Sequence, residues 1–212
     1  MSYYQTTSRI IGSEEALENF QFVTINGKVI FHDKERVTRI ARAYSQVVKS
    51  AIKQLFEGKS IEELTKELYP IMRNYVYLET ALKQAKTIAE GLLDREREKG
   101  EIIHAKIRRF WFASRGNKAD KGNRNVKFHV EDDHVLIKVK DPWSKGWVVG
   151  KAYFGKKYLP LLRELEELSN RKEEGYGAEI TFKHYPTIHL QADLWLYLNH
   201  FSSPKLAGYG LI

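Results

Sequence analysis

Apolar residues change their spacing twice along this chain, dividing it into strands, then helices, then strands again. Phe22-Val-Thr-Ile25 and Lys28-Val-Ile-Phe31 flank Asn26-Gly27. Asn-Gly accepts the positive φ angles of a tight turn, so Phe20 to Phe31 predicts a β-hairpin, with a single strand broken by a loop as the alternative. Asp33 then caps a helix. Val37, Ile40, Ala41, Tyr44, Val47, Val48, Ala51, Ile52 and Leu55 recur at steps of three and four, one broad apolar face that Gly58 ends. Ser60-Ile-Glu-Glu63 is a capping box opening a second, shorter helix, which Pro70 interrupts. Tyr75, Leu78, Leu82, Ala85, Ala89 and Leu92 define a third, finished by Asp94-Arg-Glu-Arg-Glu-Lys99 and Gly100. Ile102, Ile103, Ile107 and Phe110 predict a fourth. Short connections make these a helical bundle over about 33–114.

After Asn125 the period shortens to two. Val126-Lys-Phe-His-Val130 and His134-Val-Leu-Ile-Lys-Val139 flank Glu-Asp-Asp, a hairpin signature. Trp147 to Phe154 is a further strand, closed by Gly155. Leu159, Leu162, Leu165 and Leu168 mark a helix with Pro160 tolerated in its first turn. Gly177 to Phe182 and Thr187 to Ala192 form a last strand pair around Tyr185-Pro186. The expectation is an α+β fold: a small β-barrel or curled antiparallel sheet interrupted by a helical-bundle insertion. Its parts are a polar arm at 1–19, a β-barrel domain at 20–32 and 118–212, and a helical domain at 33–117.

Composition narrows the class. In 212 residues there is no cysteine, which excludes disulfides and thiolate metal sites and fits a reducing cytoplasm. No apolar run approaches the roughly 18 residues of a membrane span. The absence of Cys, with abundant Lys, Glu and Tyr and only two Met, leans toward a heat-adapted source. The formal charge of +8 favours a polyanionic partner.

That charge is concentrated. From His104 to Phe128 stand Lys106, Arg108, Arg109, Arg115, Lys118, Lys121, Arg124 and Lys127 against Asp120 alone, a local net charge of +7. Phe110-Trp111-Phe112 and a Gly/Asn-rich run from Arg115 to Asn125 lie in the same stretch. Cations beside rings and adaptable polar backbone suit phosphates and unstacked bases, so these eight residues and Trp111 are the candidate nucleic-acid contacts. Arg36, Arg39 and Arg42 on the first helix would extend the track, and Trp143 and Trp147 offer further rings. The bland alternative is a solvated basic loop.

Catalytic patterns are missing. His32, His104, His129, His134, His184, His189 and His200 form no metal-binding spacing, although His129 and His134 face one another in the predicted hairpin. Asp132, Asp133, Asp141 and Asp193 are the carboxylates available to a two-metal nuclease, but the first two belong to a turn. There is no Gly-x-Ser-x-Gly elbow and no phosphate-loop lysine. No catalytic residue, metal or cofactor is therefore assigned. Competing classes are an archaeal DNA-binding regulator, a protein-interaction module with an acidic partner, and a stand-alone metal nuclease.

Gly122-Asn-Arg-Asn-Val126, Val135-Leu-Ile-Lys-Val139, Gly146-Trp-Val148, Tyr153-Phe-Gly155 and Leu161-Leu-Arg-Glu-Leu165 resemble the N-terminal half of the TnpB/OrfB family. So do Tyr176-Gly-Ala-Glu-Ile-Thr-Phe182, His189-Leu-Gln-Ala-Asp-Leu-Trp-Leu-Tyr197 and, upstream, Phe56 to Leu64 with Glu67-Leu-Tyr69. That family comprises transposon-encoded RNA-guided endonucleases. The resemblance implies a wedge β-barrel interrupted by a helical recognition domain, holding structured RNA, a guide–target RNA–DNA duplex or DNA. It places cleavage in a following RuvC-like domain. Here the RuvC carboxylates and a four-cysteine zinc ribbon are absent, and the sequence ends at Gly208-Tyr-Gly-Leu-Ile212. The expectation is a binding chain without cleavage, either a fragment of a longer nuclease or a shortened copy.

Overall fold

In the computed structural model, the described residues are 22–100, 110–193 and 196–197. The chain opens with strand β1 (Phe22–Phe31), followed by helices α1 (Lys34–Phe56), α2 (Ile61–Leu68) and α3 (Tyr75–Lys99). Strands β2 (Trp111–Ser114), β3 (Gly116–Asn117), β4 (Gly122–Asn123), β5 (Val126–Val130), β6 (Val135–Lys140) and β7 (Trp147–Phe154) come next. Helix α4 (Leu159–Asn170) and strands β8 (Gly177–Phe182) and β9 (Pro186–Asp193) complete it. Seven strands form one curled antiparallel half-barrel in the order β2-β8-β9-β1-β7-β6-β5, and β3 pairs with β4 as a separate ribbon. The fold is α+β, with three helices inserted between β1 and the remaining strands.

The helices start and stop where their chemistry requires. Asp33 accepts the Arg36 amide at 2.9 Å to cap α1. Ser60 and Glu63 satisfy each other's backbone amides at the start of α2, removing two of the donors a helix start leaves unpaired. Asn74 accepts the Val76 and Tyr77 amides ahead of α3, and Gly100 ends it in the left-handed region at φ 66°. The predicted stripe of α1, from Val37 through Ile52, is buried.

Two expectations change. Asn26-Gly27 does not turn: β1 is one continuous strand, with Asn26 opposite His189 and Gly27 opposite both Ile188 and Phe154. A central strand gives its backbone groups to neighbours on both sides. Glycine is needed at 27 because a Cβ there would lie 2.7 Å from the Phe154 ring. Residues 111–114, assigned to the bundle, are instead edge strand β2, buried throughout and paired with β8. The period of two is hidden there because helices cover the strand's outer side. The arm at 1–19 and most of the predicted fourth helix, 102–109, lie outside the described residues.

The half-barrel's two edges are stitched together by side chains rather than by a strand pair. Asn123, at the end of β4, is 0% exposed. Its Oδ1 accepts from Ser114 Oγ at 2.9 Å and from the amides of Asn125 and Val126 at 3.0 Å each. Its Nδ2 donates to the Ser114 and Tyr176 carbonyls, each at 3.0 Å. Tyr176 in turn donates its hydroxyl to the Val126 carbonyl at 3.0 Å. One carboxamide thus ties β2 to the start of β5. Such a buried polar network is tolerated only because every member has a partner.

Candidate nucleic-acid interface

The Gly/Asn-rich basic run folds as a short ribbon across the closure of the barrel. Asn117 accepts the Ala119 amide at 2.9 Å to start a single 3-10 turn over Lys118–Asp120. Lys121 takes a left-handed conformation at φ 53° and Gly122 another at φ 86°. The glycines that look adapted to a phosphate serve packing instead. A Cβ on Gly116 would stand 2.7 Å from Tyr176 backbone atoms, and one on Gly122 2.2 Å from the Tyr176 ring. Between the buried points Arg115, Lys118, Lys121 and Arg124 are exposed, together with Asn117 and Ala119.

Each described cation has a defined setting. Arg115 Nη2 meets Glu79 Oε2 of α3 at 2.8 Å, and Lys118 Nζ meets Glu174 Oε2 at 3.3 Å. Arg124 Nη2 meets Asp120 Oδ1 at 3.0 Å. Lys127 donates to the carbonyls of Asp120 and Lys121, so it fastens the turn. Burial lowers its ammonium below the ordinary value, opposed by Asp120 and assisted by Lys121. Lys121 is exposed, with no carboxylate within salt-bridge distance among the described residues. Arg115 and Lys118 line one open cleft of about 380 Å³ with Thr80, Gln84, Glu179 and Gln191. Lys106, Arg108 and Arg109 lie outside the described residues.

Trp111 is corrected. It is 3% exposed, packs edge-on against Tyr44 with centroids 5.8 Å apart, and donates Nε1–H to Gln84 Oε1 at 3.0 Å. A ring so enclosed anchors the helices to β2 and offers no face to a base. Of the helical arginines, Arg42 is exposed, whereas Arg36 and Arg39 are likewise engaged. Arg36 Nη2 and Nε donate to Asp141 Oδ2 at 2.6 and 3.2 Å, and the Arg39 guanidinium sits 4.1 Å from the Trp143 ring centroid. Together they tie α1 to the loop between β6 and β7. Burial pushes the Asp141 carboxyl up, but hydrogen bonds from Arg36, the Trp143 amide and Ser144 outweigh it and hold the group below its ordinary value.

The histidines and acids do not converge. His129 stands opposite Leu136 rather than His134, and its Nδ1 is 2.7 Å from Glu166. His134 lies between Asp133 and Glu131, at 2.5 and 3.2 Å. His189 bridges Thr181 and Asn26. Among the described residues no group of three or more His, Cys, Asp or Glu is placed to hold a metal ion. No described helix is long and apolar enough to cross a membrane.

Charge clustering along the chain missed a second set of cations. Lys28, Lys138, Lys140 and Lys151 come from three strands, and the sheet gathers them on one outward face. The signal available was the alternation itself, as in Val135-Leu-Ile-Lys-Val-Lys140, where every outward position but Leu136 is lysine.

A family model described as the SSO2105 N-terminal domain matches residues 22–202. A curated relative, Uncharacterized protein SSO2105 of Saccharolobus solfataricus, is 71% identical over 212 residues, covering 100% of this chain and 58% of its own length. The chain therefore spans less than two thirds of the curated relative it matches.

Proposed function

This chain belongs to the family defined by the SSO2105 N-terminal domain, and we propose that it is the nucleic-acid-binding portion of a TnpB-like transposon protein. It grips structured guide RNA or a guide–target duplex by the sugar-phosphate backbone, acts in the cytoplasm, and cuts nothing itself. The reading rests on the sequence motifs and on the order strand, helices, strands, not on the matched family's description, which states no activity.

The observation that supports binding most is the ribbon. Arg115, Lys118, Lys121 and Arg124 are exposed on a turn of ten residues whose base is fixed by Asn123, Gly116, Gly122 and Lys127. Preset positions reduce the ordering cost of meeting a phosphate. Exposed ion pairs of the Arg115–Glu79 kind stabilise a protein by at most about 1 kcal/mol, so such an arginine exchanges its carboxylate for a phosphate cheaply. Each phosphate neutralised releases condensed counterions, which supplies affinity without reading any base. Base pairing between guide and target supplies sequence, so the protein needs only shape and charge.

The test is fluorescence anisotropy with a structured RNA, an RNA–DNA duplex and duplex DNA at ~0.1 M salt. The R115E/K118E/K121E/R124E variant should bind the RNA-containing probes on the order of 100-fold more weakly with an unchanged circular dichroism spectrum. Unchanged affinity contradicts the ribbon's role. Preference for duplex DNA of one sequence would point to the DNA-binding regulator instead. Cleavage by a clean preparation with magnesium or manganese would overturn the statement that this chain only binds.

A further inference from the structure

We propose that the outward face of β1, β7, β6 and β5 is a second nucleic-acid surface, distinct from the ribbon, and that it takes an unpaired strand. The inference rests on the nucleic-acid reading above and names a different site for a different form of the ligand.

Register places the side chains. Lys28 stands opposite Tyr153, and Ile30 opposite Lys151. Lys151 stands opposite Leu136, Val149 opposite Lys138, and Trp147 opposite Lys140. Lys138 stands opposite Lys127. Reading across the sheet, Lys28, Lys151 and Lys138 each advance one outward position per strand. They form an oblique line with steps of about 7–8 Å, the spacing of diagonal neighbours in an antiparallel sheet. Lys127, directly opposite Lys138, and Lys140, the next outward position on β6, flank its end with their ammoniums on backbone carbonyls.

The composition of that face is one-sided. Its outward positions are Phe22, Thr24, Asn26, Lys28 and Ile30 on β1, Trp147, Val149, Lys151 and Tyr153 on β7, Leu136, Lys138 and Lys140 on β6, and Lys127 and His129 on β5. Not one is Asp or Glu. Among the described residues no carboxylate lies within salt-bridge distance of Lys28, Lys138, Lys140 or Lys151, whereas three of the ribbon's cations are each paired. Lysines directly opposite one another, as Lys127 and Lys138 are, destabilise a sheet. The other half of the same sheet carries Glu179 and Asp193 outward on β8 and β9 and no lysine.

Rings flank both ends of the line. Tyr153 is 46% exposed beside Lys28, whose ammonium is 4.6 Å from the ring of Tyr185, itself 52% exposed. Trp147 is 37% exposed, with Lys140 5.1 Å from its ring. An open sheet with cations between exposed rings matches a splayed strand: phosphates follow the lysines and bases stack on the rings. A duplex hides its base faces and leaves those rings unused, and the outer side of a curled sheet is convex and offers no groove to enclose one. These features commit the surface to an unpaired strand.

The probe is a labelled ~20-nucleotide poly(U) RNA, compared with a structured RNA and with phosphatidylserine vesicles. Two variants are read in parallel: K28E/K138E/K151E on the sheet face and the ribbon quadruple. Lys127 and Lys140 are left intact because each donates to backbone carbonyls of its own loop. The sheet-face variant should lose poly(U) binding by about 100-fold and Tyr153→Leu by about 10-fold. The ribbon variant should lose structured RNA more than poly(U). Near-UV circular dichroism and the milder K28Q/K138Q/K151Q set, expected to lose about 10-fold, keep the result independent of misfolding. Wild-type affinity for poly(U) in the folded sheet-face variant overturns the proposal. Wild-type protein that binds structured RNA but not poly(U) overturns it and leaves the ribbon reading standing. Binding to neither removes both. Equal binding to vesicles and poly(U) also overturns it, because the face would then recognise negative charge alone.

Discussion

Asn123 holds Ser114 twice, accepting from its hydroxyl at 2.9 Å and donating to its carbonyl at 3.0 Å, although the two residues lie on different strand pairs. With the Tyr176 carbonyl and the amides of Asn125 and Val126, these bonds join the edges of the half-barrel. Asparagine is required because one side-chain atom must accept three bonds while its neighbour donates two.

Replacing Asn123 therefore has a defined cost. Asn123→Ala strands buried amides and carbonyls and should destabilise the fold by about 2–4 kcal/mol, lowering Tm by roughly 5–15 °C. Asn123→Asp should be at least as damaging, because a carboxylate cannot donate to the Ser114 and Tyr176 carbonyls. Thermal denaturation followed by circular dichroism checks both. An alanine variant within 2 °C of wild type would remove Asn123 from the closure.

The glycines sort by what a methyl group meets. Gly122→Ala forces alanine to φ 86° and into the Tyr176 ring, and Gly116→Ala drives Cβ into Tyr176 backbone. Each should cost about 2–4 kcal/mol. Gly91 lies within α3 with open space beside it, so Gly91→Ala should gain about 0.5–1 kcal/mol. Chemical denaturation of the three variants gives the comparison. Equal shifts at all three positions would contradict it.

How much of this could be read from the chain follows from where the physics is local. Caps at Asp33 and Ser60 act within three residues, and the apolar stripes of α1 and α3 are one-element properties, so α1, α2 and α3 were legible, although the Asn74 cap of α3 was not singled out. So were β5 to β9, whose alternation survives because one face is wet. Strand β2 was not, because α1 and α3 cover its outer side. Asn26-Gly27 misled because turn chemistry and the need for a bare backbone beside Phe154 call for the same dipeptide. Clustered charge found the ribbon, but not that Trp111 is buried or that Lys127 is a fastener. The sheet-face lysines are far apart in sequence, and only strand register brings them into line.

Acid should loosen the attachment of α1 to the β6–β7 loop. The Asp141 carboxyl lies below its ordinary value of 3.8 in the folded chain. A depressed carboxylate contributes stability that is complete above the unfolded value and is lost as pH falls through the folded one. Wild-type Tm should therefore drop more steeply than that of Asp141→Asn below about pH 4, and the two curves should converge in strong acid. Parallel curves across that range would mean that the Arg36–Asp141 pair contributes nothing.

The most direct measurement of nucleic-acid binding is the affinity of the unmodified chain for structured RNA as a function of salt. Four or more phosphate contacts predict a plot of log affinity against log salt with a slope of about −3 or steeper. The ribbon variant R115E/K118E/K121E/R124E should flatten that slope by about 2–3. A slope near zero, or no measurable affinity at ~0.05 M salt, would contradict the claim that this chain grips a phosphate backbone.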